Sequence, residues 1–595
     1  MDTLSCEKVA IGAEPARQLP VWYPAWAREL AELYFSGTTC VFVLHGNVHD
    51  LVRCPGDDGK DHYCSLTEFL TTQLFGTWDL VLQHDLGRGL RVHAGSDVDR
   101  LRSMVQTLSG RWGEPAGWPR EPDKMLLLLE NLVERNLIDD AGSRKSIALV
   151  FEYAQFLVAA GDLDSLARGS AGRLVRFLGW AQNPLIKRVN VAFCLVADSI
   201  AELNDRLVQS PYVASIEVPL PGREDRLAFV RDATQGQELG NLTDFTAEQL
   251  ADMSNGLSLV NLNVVLSQAT RAGRRLDSKR FRQLKKTMIE RQCQDLIEFV
   301  EPSVTLDLLV GQEEAKKRLF EDAKFISEGR LEAAPMGYLV CGPVGTGKTF
   351  LAECYAGSIG IPCVVLKNFR SKYVGETEGN LQRVLTVLRS LGPVVVIVDE
   401  ADAALGNREA DGDSGTSARV FSMIASQMGN TRYRGKILWM LLTSRPDLLP
   451  IDLKRQGRAE VHIPLFYPQA ADEIRTMFEV MARKNKVRLA SNSIPEVLSD
   501  RHLSGADIES IVLSAARVIL EADRDELTRA DLEEALTEFI PSAQGLEKEM
   551  QEISAVLECT QMSFLPPAWQ EKILQPGGRT VLQERMVAIR QLLSE

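Results

Sequence analysis

Gly342-Pro343-Val344-Gly345-Thr346-Gly347-Lys348-Thr349 is the stretch whose reading decides the fold. An apolar run, Tyr338-Leu339-Val340-Cys341, precedes it, and a helix-like run from Phe350 to Ile359 follows. Strand, glycine-rich loop and helix N-terminus form the context in which G-x-x-x-x-G-K-[ST] holds phosphates. The glycines let backbone N–H groups wrap closely around phosphate oxygens, and the helix N-terminus adds partial positive charge. Lys348 is placed to reach the β- and γ-phosphates of ATP, and Thr349 to ligate Mg²⁺.

A phosphate loop needs a carboxylate on its metal side and a base for the attacking water. Val394-Val395-Val396-Ile397-Val398 is an unbroken apolar run, as in a strand buried on both faces of a parallel sheet. Asp399 and Glu400 follow at its C-terminal end, where open α/β sheets bind ligands. Asp399 is expected to hold Mg²⁺ through water, and Glu400 to polarise the attacking water.

With these residues in place, the segment from about 301 to 545 resembles an AAA+ ATPase of the clade that holds the FtsH protease, the proteasomal ATPases and the spastin/katanin group. Leu306 to Lys316 is similar to the family's entry segment, and the resemblance implies that Gly311 borders the adenine. Ser371-Lys372-Tyr373-Val374-Gly375-Glu376 is similar to the first pore loop, which implies that Tyr373 and Val374 face a channel. Leu441 to Asp447 resembles the sensor-1 strand end, with Ser444 at the sensor position. Asp452 to Arg458 resembles the arginine-finger segment, with Arg458 as the finger. Leu503 to Ile508 resembles the start of the lid helix, with Gly505 and Ala506 beside the nucleotide. Bland readings remain for two of these: Arg458 as a surface charge and Tyr373 as a core residue.

Two departures from the family pattern bear on turnover. The sensor-1 position usually carries Asn; Ser444 has a hydroxyl of shorter reach. A second arginine often follows the finger by three residues, where this chain has Val461. Arg458 is then the sole finger of the segment unless Arg455 substitutes. An ATP-gated scaffold with little turnover is the competing reading.

The chain of 595 residues has 45% hydrophobic and 25% charged residues, as in ordinary globular proteins, and room for several folded units. Its net charge of −14 argues against non-specific nucleic-acid binding. Ten cysteines lie scattered without C-x-x-C spacing and read as small apolar residues in a reducing compartment. The first residues show no basic-then-apolar leader, and no apolar run reaches bilayer length. The expectation is a cytoplasmic protein that does not engage a membrane.

The N-terminal half repeats the C-terminal half in outline. Thr39 to Leu44 reads as a strand and is followed by Gly46-Asn47-Val48-His49-Asp50, which lacks the second glycine and the lysine. His45 and His49 invite a metal reading, but without a third ligand at metal-like spacing they read as loop or core histidines. Ile147 to Glu152, Glu217 to Pro221 and Gly256 to Leu262 match Val395 to Glu400, Glu460 to Pro464 and Gly505 to Ile511, each displaced by roughly 250 residues, which argues for an internal duplication. This alignment sets Phe151 against the metal-side Asp399, and a phenylalanine cannot ligate Mg²⁺. The first module reads as degenerate.

The fold class expected is α/β: two tandem AAA+ modules, each a parallel sheet flanked by helices with a small helical lid. The boundaries are an irregular segment 1–25, a degenerate module 26–270, a charged linker helix 271–300, a nucleotide-binding domain 301–465, a helical lid 466–545 and a helical tail 546–595. The basic residues of the linker are either a patch for an acidic partner or a solvated helix face. The resemblance implies an ATPase using ATP and Mg²⁺ that assembles as a homo-oligomeric ring, a hexamer, and remodels a protein client whose identity the sequence does not give. No H-E-x-x-H occurs in these residues, so an FtsH-type protease domain is not expected here. The paired modules also resemble ATPases found beside bacterial contractile, phage-tail-like injection systems.

Overall fold

Runs of apolar residues without polar interruption make the central strands, and each is buried on both faces by flanking helices. The computed structural model describes residues 19–55, 61–95, 97–161, 168–236, 239–270, 275–300, 302, 304–367, 374–405, 416–496, 503–521, 524–540 and 545–594. The chain divides into two units, Met1–Asp277 and Ser278–Glu595.

In the first unit the strands are β1 (Val41–Gly46), β2 (Leu51–Pro55), β3 (Asp61–Ser65), β4 (Leu80–Asp85), β5 (Gly89–Val92), β6 (Ile147–Phe151), β7 (Val191–Ala197) and β8 (Val213–Val218). β2 and β3 pair as a separate antiparallel hairpin. The others form one sheet in the order β5-β4-β6-β7-β1-β8, parallel except for β5 at the edge. Helices Arg223–Ala233, Ala247–Met253 and Leu259–Thr270 follow β8.

In the second unit the strands are β9 (Ile297–Val300), β10 (Gly337–Cys341), β11 (Cys363–Leu366), β12 (Val394–Val398), β13 (Ile437–Thr443) and β14 (Val461–Pro464). Their order is β14-β10-β13-β12-β11-β9, parallel except for β9. From the antiparallel edge inward the two sheets have the same plan: β4 matches β11, β6 matches β12, β7 matches β13, β1 matches β10 and β8 matches β14. The fold is therefore α/β, with two sheets whose five parallel strands share one order, while the antiparallel edge strand follows β4 in the first and precedes β10 in the second.

Helices Ala471–Lys484, Gly505–Glu521 and Arg529–Glu538 form a lid with its own core of Ile474, Phe478, Ile508, Ile511, Val512 and Leu532. The stretch expected as a charged linker is a helix, Ser278–Gln292, followed by β9. Its face is not wholly solvated: Phe281, Lys285 and Ile289 recur at helical spacing and are buried, with the Lys285 ammonium 5.6 Å from the Phe299 ring centre. The tail folds onto its own module. Met550, Ile553 and Val556 of the helix Leu546–Glu558 pack with Leu582, Ile589 and Phe466. Among the described residues no helix is long and apolar enough to cross a membrane.

Candidate nucleotide site

β10 ends at Cys341, and the chain turns through Gly342 at a φ of 145° into the loop before the helix Lys348–Ile359. Only glycine fits at Gly342, because a Cβ there would lie 2.2 Å from the Leu465 carbonyl oxygen. The strand and helix that flank the loop are clamped by a buried polar chain. Tyr338 of β10 lies 2.7 Å from the Tyr355 hydroxyl and donates to Asp322 at 2.9 Å, and Arg318 Nε donates to Asp322 at 3.0 Å. Burial pushes the Asp322 carboxyl up, with Arg318 and Tyr338 pulling it back. Nothing in the phosphate-loop pattern announced this clamp, because its members lie scattered over three elements.

A cleft of about 1080 Å³ opens over the loop. It gathers Val344, Gly345, Thr346, Gly347, Lys348 and Thr349 with Asp399, Glu400 and Ser444 from the strand ends. From the lid come Gly505 and Ala506, and from the entry segment Gly311. Pro343 is buried beneath the loop, and its carbonyl accepts from the Thr346 hydroxyl at 2.9 Å. The lid touches the loop closely: a Cβ on Gly345 would meet the Ser504 hydroxyl at 2.8 Å.

Lys348 Nζ donates to the carbonyls of Gly342 and Pro343, both at 2.9 Å, so the ammonium lies along the loop. Burial lowers its pKa, with Cys341, Asp399 and Asp402 opposing. Thr349 Oγ1 donates to Asp399 Oδ2 at 3.0 Å. A hydroxyl and a carboxylate held side by side at the loop's mouth are hard oxygen donors of the kind Mg²⁺ takes, so the residues fit that ion. Glu400 is exposed beside them in the left-handed region, at a φ of 47°. Such a backbone costs about 1–3 kcal/mol in a non-glycine residue and persists where surrounding structure enforces it. Thr443, which the sequence reading passed over, donates to Asp402 at 2.6 Å and accepts from Arg445 N at 2.8 Å, fixing the turn that carries Ser444.

Arg458 lies outside the cleft lining. Its Nη1 donates to the Asp452 carbonyl at 2.8 Å, its side chain is 14% exposed, and its Nε is buried without a partner among the described residues. Arg455 is 60% exposed, with Nη1 3.7 Å from Asp452. Tyr373 lies outside the described residues. Val374 opens the helix Val374–Ser390.

The first module has the same frame with different contents. The ends of β6 and β12 coincide in the shared topology, so Glu152 stands at the position of Asp399 and Tyr153 at that of Glu400. Tyr153 even keeps the left-handed backbone, at a φ of 54°. This corrects the alignment that put Phe151 opposite Asp399: Phe151 ends the strand and is buried in the core, as Val398 is. The error was one residue of register, invisible to a match of apolar runs. Gly46, at a φ of 98°, keeps the place of Gly342. The hairpin β2–β3 then replaces the rest of the loop, and the next helix starts at Leu66-Thr67 where the second module has Lys348-Thr349. Thr67 donates to Glu152 as Thr349 does to Asp399. The helix Leu259–Thr270 matches the lid helix Gly505–Glu521, since Ser258 and Ser504 each accept from the N–H three residues on, at 3.1 and 3.0 Å. Its N-terminal N–H groups are taken by the buried carboxylate of Asp50. His49 Nε2 lies 2.7 Å from Asp198 and His45 is buried; no group of three metal-ligating side chains occurs among the described residues.

Comparison with known proteins agrees with this division. Residues 14–219 match the family model "AAA+ chaperone, N-terminal Rossmann-like domain", and residues 224–294 match "AAA+ chaperone, second helical domain". Residues 338–467 match "ATPase family associated with various cellular activities (AAA)". The chain is 32% identical over 249 residues to the ATP-dependent zinc metalloprotease FtsH 3 of Sphaerobacter thermophilus, covering 40% of this chain and 50% of that protein. It is 27% identical over 354 residues to the cell division cycle protein 48 homolog of Archaeoglobus fulgidus, covering 54% and 47%. An uncharacterised AAA domain-containing protein, ycf46, of Guillardia theta is 26% identical over 364 residues, covering 59% and 70%. The chain thus spans about half the length of the first two relatives. From its site, its two sheets and these matches, the chain belongs to the AAA+ ATPases, in the clade of FtsH and the cell division cycle protein 48 homologues.

Proposed function

We propose that this chain is an ATP-hydrolysing remodeller of protein clients in the cytoplasm, with one working ATP site per chain, acting as a homo-oligomeric ring. The observation that carries this reading is the contrast between the two modules. One has Lys348, the Thr349–Asp399 pair and Glu400 around a single cleft. The other has Leu66 for the lysine, Tyr153 for the base and a carboxylate at the helix N-terminus that would repel phosphate.

In the working site the loop N–H groups and Lys348 bind the β- and γ-phosphates, with Val310, Gly311 and Gln312 beside the base. Thr349 and, through water, Asp399 would hold Mg²⁺, which would supply positive charge against the phosphates. Glu400 accepts a proton from the attacking water, and Ser444 orients it. Arg458 supplies positive charge to a neighbouring chain's γ-phosphate, which makes assembly a condition of turnover; a hexamer is the form the family resemblance favours. Tyr373 and Val374 grip the client in the channel.

The test is nucleotide stoichiometry and turnover together. Calorimetry with a non-hydrolysable ATP analogue should give one site per chain, and sedimentation should give a ring with ATP. Two sites per chain would overturn the contrast. A second reading, an ATP-gated scaffold, draws on the short reach of Ser444 and the tucked Arg458; an assembled ring with negligible phosphate release would favour it. The resemblance to ATPases that accompany contractile injection systems makes a component of such a machine the first client to try.

A further inference from the structure

Three polar side chains on one stripe of the helix Leu546–Glu558 reach three different motifs of the nucleotide module. Gln551 Oε1 accepts from the Val344 N–H of the phosphate loop at 3.2 Å. Ser554 Oγ donates to Asp447 Oδ1 at 3.0 Å. Asp447 is also gripped by Arg445, the residue after Ser444, at 3.0 and 2.9 Å, and by Arg590 at 2.7 Å. Glu558 forms an ion pair with Lys454 inside the finger segment, and its carbonyl oxygen lies 2.8 Å from His462 Nδ1. The other ring nitrogen of His462 lies 2.9 Å from the Ala459 carbonyl, next to Arg458. Positions 551, 554 and 558 fall on one face of a helix.

These contacts are not incidental surface pairs. Gln551 is 7% and Ser554 1% exposed, and the Lys454 side chain is 11% exposed. The apolar side of the same helix is fixed by Met550, Ile553 and Val556 in their own core. A helix held in this way moves as a body, so displacement at one end is carried to the other. Its first contact is on a loop that must adjust around phosphate, and its last is on the segment that holds the finger.

We propose that the helix Leu546–Glu558 is a positioning element that couples a chain's own phosphate loop to its own arginine finger, through Gln551, Ser554 and Glu558. Nucleotide in one site then sets the finger offered to the next chain. The inference rests on the ring-ATPase reading above.

The experiment is a double-mutant cycle in the full chain with Gln551→Leu and Glu558→Gln, reading ATP affinity, kcat, KM, the Hill coefficient and ring mass. Each single change should lower kcat on the order of fivefold to tenfold and bring the Hill coefficient towards one, the size of ordinary coupling. The affinity of Glu558→Gln for an ATP analogue should stay at the wild-type value. The double variant should lose no more kcat than the worse single one, because both break one linkage. Lys454→Met should copy Glu558→Gln from the other side of the pair. Should Gln551→Leu prove insoluble, Ser554→Ala takes its place in the cycle. Additive losses, or losses that track only melting temperature, overturn the coupling. A wild-type protein that stays monomeric with ATP overturns the ring reading and this proposal together; a wild-type ring with additive variants overturns the helix proposal alone.

Discussion

Asp50 and Val260 are joined by a hydrogen bond of 2.9 Å from the Val260 backbone N–H to the Asp50 carboxylate, and Leu259 N donates to its other oxygen at 3.0 Å. A carboxylate of the chain thus occupies the helix N-terminus that, in the second module, borders the phosphate loop. Asn47 Nδ2 also donates to Asp50 at 2.8 Å, so the acid is fixed from both sides.

Asp50→Ala should destabilise the first module by about 1–2 kcal/mol, the usual cost of losing an N-terminal cap. Asp50→Asn, which keeps one acceptor, should lose less. Urea unfolding followed by tryptophan fluorescence reads the change. Neither variant should gain a second nucleotide, since Leu66 still stands where a lysine is needed. Binding of two nucleotides by Asp50→Ala would mean that this carboxylate alone had closed the site.

The second module was legible because phosphate binding demands a local pattern: glycines, lysine and hydroxyl in eight consecutive residues, then acids at a strand end. Its supporting groups were not. Tyr338, Asp322 and Tyr355 meet through tertiary packing, and Gln551 reaches Val344 across 207 positions of sequence. The first module's fold was legible from its repeated apolar strands, but its register was not. Strand-to-strand matching tolerates a slip of one residue, whereas the backbone does not: Tyr153 and Glu400 share a left-handed φ that fixes the alignment.

Lys348 and Glu400 separate binding from chemistry. Lys348→Ala removes the cation over the phosphates and should abolish detectable ATP binding. Glu400→Gln keeps shape and the hydrogen bond from Ala403 N to the Glu400 carbonyl, at 2.8 Å, while removing the base. It should bind ATP as the wild type does and lose turnover by about 10²–10⁴-fold, the range for a general base. Near-normal phosphate release by Glu400→Gln would place the base elsewhere.

His84 predicts acid sensitivity of the first module. It is 1% exposed near the end of β4, and neither ring nitrogen has a hydrogen-bond partner among the described residues. Burial lowers its pKa to about 4, with Asp85 pulling upward. The folded value lies below the unfolded one, so protonation favours unfolding. The stability is fully present above about pH 6.5 and is lost as pH falls toward 4. At pH 5 the loss amounts to about 2 kcal/mol. In His84→Phe, the drop in unfolding free energy from urea titration between pH 7.5 and pH 5 should shrink by that amount relative to wild type. An unchanged drop would assign the acid sensitivity to carboxylates instead.

Tyr373 precedes Val374 in the sequence, and a substitution there separates a pore residue from a core one. Tyr373→Ala should leave melting temperature, ring mass and basal ATPase close to wild type and abolish client remodelling. A core tyrosine would instead cost about 3–5 kcal/mol on truncation, visible as early melting.

Arg458 has donors its own chain does not use. One nitrogen bonds the Asp452 carbonyl, while the buried Nε has no partner among the described residues. That nitrogen is enclosed by its own chain, so a neighbour's phosphate would have to be met by the terminal guanidinium nitrogens once they leave the Asp452 carbonyl. Arg458→Ala should therefore keep ATP affinity and ring mass and lose kcat by about 10³-fold or more, as for an arginine finger. Arg458→Lys should not restore it, because a single ammonium cannot reproduce the planar fork. Mixed rings give the sharper reading. Arg458→Ala chains (own sites intact) combined with Lys348→Ala chains (own fingers intact) should regain turnover, because each supplies what its neighbour lacks. If instead Arg455→Ala carries the loss and Arg458→Ala only lowers the melting temperature, the exposed arginine is the finger and Arg458 serves to hold the segment on Asp452.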